Sequence, residues 1–143
     1  MPKDYPDHHD ADLVLRLYEL RRESTMRASR AAMASWWPKT FDDVVAILKG
    51  DHPHNAPFWQ VTGYWEMAYG MARHGVAHPE FLVENSTEGI FYFIRFERFL
   101  EQYRASGSPR AFRNTEWVIT NTTAGAETLA FYKKRFEKIL TAV

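Results

Sequence analysis

Glu66 is the residue in this chain best placed to do chemistry, because it is a carboxylate set among aromatics on a helical strip that also carries two glycines. At 100° per residue, Trp59, Gly63, Glu66, Gly70 and Arg73 share one strip of the stretch 56–75, APFWQVTGYWEMAYGMARHG, with Tyr64 and His74 close by in sequence. A carboxylate buried there must either pair with a cation or rise in pKa, and a raised pKa suits an acid or base in a site. Glu66, Tyr64, Trp59, Arg73 and His74 are therefore the candidate ligand-binding set, with no residue assigned a catalytic role. The structural alternative is an ion pair of Glu66 with Arg73, two turns along the strip, or with Arg16, Arg21 or Arg22. Gly63 and Gly70 fit either reading, since small residues allow close helix packing or leave a groove beside the carboxylate.

Other chemistries have less support. Cysteine is absent, which removes disulfides, thiolate ligands and cysteine nucleophiles. A di-iron bundle needs Glu-x-x-His on paired helices, and no histidine here stands three residues after a glutamate. There is no H-E-x-x-H, and the histidines lie at the chain start (His8, His9), in a loop (His52, His54) and astride Gly75 (His74, His78), so neither a metal nor a cofactor is expected. No G-x-S-x-G elbow and no phosphate-cradling glycine loop occurs. Lys133, Lys134 and Arg135, with Arg110 and Arg113, are interrupted by Glu127 and Glu137 and read as a solvated face. Lys+Arg and Asp+Glu balance at 18 each, so no nucleic acid partner is expected. The start lacks an apolar h-region, and no apolar run approaches the roughly 18 residues of a membrane span, so a cytoplasmic protein is the expectation.

The elements that must position Glu66 are helical throughout. No period-2 run of β-branched residues appears, and the spacing predicts an all-α, compact bundle of about six helices around the central helix 56–75. One domain is expected over 1–143, with 1–9 as a loose arm. A first helix runs from an Asp10 cap, with Leu13, Leu17 and Leu20 on its buried side, to Trp36-Trp37-Pro38. Its Glu19, Glu23, Arg27 and Arg30 form a solvated face with Glu23 and Arg27 as an i,i+4 pair. Thr40 and Asp43 cap a short second helix, and Asn55 caps the central one. After a proline-started turn at His78-Pro79, Asn85 and Glu88 read as a capping box opening a helix to about Arg104. That helix has Tyr92, Phe93, Phe96, Phe99, Leu100 and Tyr103 on its main face, and Arg95, Glu97, Arg98, Glu101 and Gln102 over the rest of its second half. Ser108-Pro109 opens a helix to Thr122 anchored by Phe112, Val118 and Ile119. Low propensity at Asn121 to Gly125 predicts a break, with one kinked helix as the alternative, before an apolar stripe of Leu129, Tyr132, Phe136, Ile139, Leu140 and Val143. The central helix is expected to be packed by the first, the Tyr92 to Tyr103 and the C-terminal helices.

Together, Asp10-Ala11-Asp12-Leu13, Tyr18-Glu19-Leu20-Arg21-Arg22-Glu23, Trp37-Pro38 and Tyr64-Trp65-Glu66-Met67 resemble a family of small bacterial all-helical proteins of unknown function. The resemblance covers most of the chain and implies a helical architecture and a bacterial cytosolic setting; it carries no activity, cofactor or catalytic residue. Function is read from unassigned apolar groups. Ile90, Phe91, Ile94, Trp117, Leu15, Met26 and Met33 have no partner in the helical pattern, which points to a non-enzymatic module that self-associates as a homo-oligomer and acts through protein contacts. The alternative is a ligand-binding or catalytic pocket around Glu66. A small apolar ligand would then sit between the central helix and the Tyr92 to Tyr103 face.

Overall fold

Ten α-helices and one 3₁₀ turn make up the computed structural model, which describes residues 3–142; among these residues there is no strand. In chain order they are α1 (His8–Arg21), α2 (Ser24–Ala34), α3 (Phe41–Ile47), α4 (Asn55–Arg73), α5 (Pro79–Glu84) and α6 (Glu88–Phe93). The 3₁₀ turn (Glu97–Phe99), α7 (Leu100–Ala105), α8 (Arg113–Asn121), α9 (Thr123–Arg135) and α10 (Glu137–Thr141) follow. Met1 and Pro2 of the expected arm, and Val143 of the last stripe, lie outside the described residues.

The fold is all-α as expected, and the larger helix number comes from three breaks and from the proline-started turn, which is a helix. The expected first helix divides at Glu23. This residue takes an extended conformation (φ −60°, ψ 145°), and its carboxylate accepts the Met26 N–H at 3.0 Å, so it caps α2 rather than pairing with Arg27. Asp10 is not the first cap either. Asp7 holds that position, and Asp10 at the third helical position accepts the Asp7 N–H at 2.8 Å, closing the capping box one turn earlier. The expected helix 85–104 divides at Ile94 to Phe99, where backbone N–H groups of Arg95, Phe96 and Phe99 bond carbonyls three residues back and tighten the turn. Asn85 ends α5 instead of capping the next helix, and the glutamate assigned to its box, Glu88, forms a two-pronged ion pair with Arg30 at 2.7 Å. The break at Asn121 to Gly125 is real: Thr122 is extended, and its hydroxyl accepts the Gly125 N–H at 2.9 Å to cap α9. A third division, at Phe136, separates α9 from α10.

α4 is the middle of the packing. Phe58, Val61, Thr62, Trp65, Ala68, Tyr69 and Ala72 are buried along it. Each large apolar side chain buried in this way contributes about 1.5–3 kcal/mol. α2 and α8 are its main neighbours, with α5 and α6 beyond, whereas the C-terminal helices lie chiefly on α8, α5 and α6. The apolar groups left over in the helical pattern are mostly used inside the chain. Met26, Met33, Ile90 and Ile94 are buried, and Phe91 packs against Trp37, Tyr132 and Phe136; Leu15 remains 60% exposed.

Charged side chains assigned to solvent by helical pattern are instead joints between helices. Arg95 is fully buried, and among the described residues no ion pair includes it. Its guanidinium donates to the carbonyls of Ala34 (3.1 Å), Trp36 (2.8 Å) and Phe91 (2.5 Å), and stacks 3.7 Å from the Trp37 ring. Arg95 thereby satisfies carbonyls at the C-terminal end of α2, where the helix dipole favours a cation. Burial pulls its pKa down to about 10, which still leaves it charged at neutral pH. Arg30 similarly bonds the Arg21 carbonyl at the end of α1, and Arg98 ties Leu140 to Pro38.

Candidate binding groove on the central helix

Glu66 neither pairs with an arginine nor stands free. Its carboxylate accepts the backbone N–H of Asn114 (3.3 Å, Oε1) and of Thr115 (3.0 Å, Oε2), and the Thr115 hydroxyl lies 3.4 Å from Oε2. These are the unpaired first-turn N–H groups of α8. The helix needs an outside cap because its own cap residue is Phe112, which has no side-chain acceptor and sits in the left-handed region (φ 57°). A positive φ is costly for an aromatic residue, by roughly 1–2 kcal/mol. The Phe112 ring offsets this by burial against Phe93, Phe96 and Tyr103, with centroid separations of 5.5, 4.9 and 6.3 Å. The helix expected from Ser108 therefore starts five residues later, and 107–112 is a loop that faces α4.

Gly70 and Gly63, equivalent in sequence pattern, have different roles. A Cβ at Gly70 would meet Asn114 Nδ2 at 2.8 Å, so this glycine lets α8 approach. Asn114 is held there by the Glu66 carbonyl (3.0 Å) and by the Arg73 guanidinium (3.2 Å). A Cβ at Gly63 would meet nothing within 4 Å. The open space beside it is a groove of about 450 Å³, with Phe58, Trp59, Thr62, Gly63 and Glu66 of α4 on one side and Tyr103 with residues 107–112 on the other. Its walls are mainly apolar, with Trp59 52% exposed and Glu66 half-buried. Burial raises the Glu66 pKa above the ordinary carboxylate value, and the Thr115 and Asn114 N–H groups offset this only in part. A second groove of about 530 Å³ is lined by Glu97, Glu101, Arg104 and Glu116, but two of its carboxylates are already occupied, Glu97 by Lys133 and Glu116 by Arg104.

Of the expected set, the structure brings Glu66 and Trp59 together and separates the other three. Tyr64 points to the other side of α4, where its hydroxyl donates to the Leu17 carbonyl and burial pushes its pKa up to about 12. Arg73 holds Asn114 and lines a shallow depression with Arg113 and Trp117, away from the groove. His74 ends α4 and is exposed. The helical strip passes over Tyr103, Pro109 and Phe112 because these come from elsewhere in the chain. The sole sequence sign of the loop is Gly107, whose φ of 123° favours glycine. Among the described residues no group of three histidine or acidic side chains is placed to hold a metal, and no helix is long and apolar enough to cross a membrane.

These features define an all-helical domain with an apolar groove on its central helix. The chain belongs to the family described as Domain of unknown function (DUF4760), whose model matches residues 6–122. The match spans α1 to the end of α8, including both walls of the groove, and it accords with the resemblance to a helical family of unknown function. No curated protein and no solved structure matches the chain.

Proposed function

We propose that this protein is a non-enzymatic binding module whose ligand site is the groove between α4 and the 107–112 loop. The observation that carries the reading is the open space at Gly63. A helix residue facing a packed partner leaves no such volume, and here the backbone is bare between an exposed indole and a half-buried carboxylate. Apolar walls with a few charged or polar groups, here Glu66 and the rim Arg110, are the ordinary make-up of small-molecule sites, and about 450 Å³ lies within their usual range. Glu66 supports recognition rather than proton transfer, because three hydrogen bonds already fix its carboxylate on α8. The test is saturation-transfer NMR with phenylbutanol, a neutral aromatic probe. Binding to the wild type that disappears in Gly63→Leu supports the site; equal signals in both proteins, or no signal from phenylbutanol and from its charged amine and carboxylate counterparts alike, would reject it.

Self-association is the second reading. The outward side of α1 favours it, where Leu15 is 60% and Tyr18 48% exposed beside each other on the helix. Native mass spectrometry of untagged protein decides this: a dimer lost in Leu15→Lys supports it, and a monomer at every concentration rejects it.

A further inference from the structure

The groove holds one carboxylate at a defined place, Glu66, with the Arg110 guanidinium at its rim, and that limits what can fill it. A carboxylate has about four acceptor positions, of which Glu66 uses three on α8; Oε1 makes a single bond of 3.3 Å. Among the described residues no ion pair includes Glu66. Arg104 is turned to the Ala111 carbonyl (3.1 Å) and to Glu116, and Arg110 stands exposed on the loop at the rim. The carboxylate therefore keeps an open acceptor and, among the described residues, has no ion-pair partner, Arg104 acting on its charge only from a distance. Along the same strip, Trp59 lies seven residues before Glu66. That is about 10 Å of helix rise, with bare Gly63 backbone between them. The 52% exposed indole adjoins Phe58, whose ring meets it edge-on at 4.8 Å, and the two give the far end of the trough an aromatic floor.

We infer that the groove takes an organic ammonium, an apolar body ending in a primary amine, with the body against Trp59 and the ammonium on Glu66. This rests on the groove being the ligand site. The ammonium supplies donors to the open Oε1 position and the charge that the carboxylate lacks, while the apolar body covers the indole. A neutral ligand would leave the charge desolvated and unpaired, and an anion would meet it with like sign. Spacing sets the length: an aryl group and an amine four carbons apart span the trough.

Isothermal titration calorimetry with phenylbutylamine, phenylbutanol and phenylbutyrate tests this in wild-type protein and in two variants. The amine is expected to bind about tenfold tighter than the alcohol, the usual margin of a charge-assisted hydrogen bond over a neutral one. That margin should shrink as salt is raised and vanish in Glu66→Gln, while Gly63→Leu removes both ligands. The amine-to-alcohol ratio in the wild type and its fall with salt carry the test even where Glu66→Gln folds poorly. Equal affinity for amine and alcohol, or tighter binding of the butyrate through Arg110, would overturn the ammonium assignment and leave the groove in place as a site. Failure of all three probes to bind would overturn the groove reading along with it.

Discussion

The Glu66 carboxylate on α4 accepts the Thr115 backbone N–H at 3.0 Å, so a side chain of one helix closes the start of another 49 residues away. α9 is closed in the same manner, with Glu80 of α5 accepting the N–H groups of Thr123 and Ala124. Both joints put a negative charge where the helix dipole favours one and couple helices far apart in sequence.

Removing the first joint gives a graded result. Glu66→Ala leaves N–H groups of Asn114 and Thr115 unpaired and is expected to cost about 1–2 kcal/mol, as other lost caps do, whereas Glu66→Gln keeps an acceptor and costs less. The pH dependence has a fixed sign. Burial raises the folded-state pKa of Glu66, so its contribution to stability is full below the unfolded value and is lost as pH rises through the folded one. Urea unfolding should show the wild type losing stability relative to Glu66→Gln as pH rises above about 4.3. A difference of opposite slope would contradict the burial argument.

Asp10 behaves in the opposite sense. Burial alone would raise its pKa, but the Lys3 ammonium and the N–H groups of His78 and Asp7 outweigh this and hold it at about 2. A lowered carboxylate pKa gives stability that is present above the unfolded value and is lost as pH falls through the folded one. Acid titration should therefore weaken the wild type between about pH 4 and pH 2 more than it weakens Asp10→Asn. Circular dichroism melts across that interval check it.

Arg95→Lys is expected to destabilise by about 3 kcal/mol. A compact ammonium cannot reach the carbonyls of Ala34, Trp36 and Phe91 together or lie flat on Trp37, so a buried charge loses most of its partners. A loss under 1 kcal/mol in chemical denaturation would show that this buried guanidinium is not what holds the end of α2.

Alanine at two glycines should act in opposite directions. At Gly63 the Cβ enters open space and helix propensity improves, so Gly63→Ala is expected to stabilise by up to about 1 kcal/mol. At Gly125 the Cβ would lie 2.3 Å from the Val118 carbonyl oxygen, backbone that cannot give way without moving α8 from α9. Gly125→Ala should destabilise by about 1–3 kcal/mol. Thermal melts of the pair are enough.

The central helix was legible in sequence because period 3.6 over nineteen residues depends on local spacing alone, and Asn55–Arg73 follows it closely. The breaks were not. Glu23 looks like a helix-interior partner for Arg27 until the chain shows an extended backbone there, and nothing local says that Arg95, one of several charges in a row, will be the one turned inward. Glu66 was recognisable as unusual, but its actual partner is a backbone start created by Phe112 in a left-handed conformation. That depends on how the loop packs and on no pattern in the sequence. For the same reason half of the groove was visible, as Trp59, Gly63 and Glu66 on one strip, and the facing half was not. Tyr64 and His74 joined the candidate set through nearness in sequence, which on a helix does not mean nearness in space. Arg73 joined it through the shared strip, two turns along, where its guanidinium turns to Asn114.

The most direct measurement is a ¹H–¹⁵N correlation spectrum titrated with phenylbutanol, following the Trp59 indole and the backbone amides of Gly63, Ala111 and Thr115. Saturable shifts confined to these signals, and absent from Gly63→Leu, are the predicted result. No shifts with phenylbutanol, phenylbutylamine or phenylbutyrate, or shifts spread over α1 and α9 while the groove signals stay still, would contradict a ligand site on the central helix.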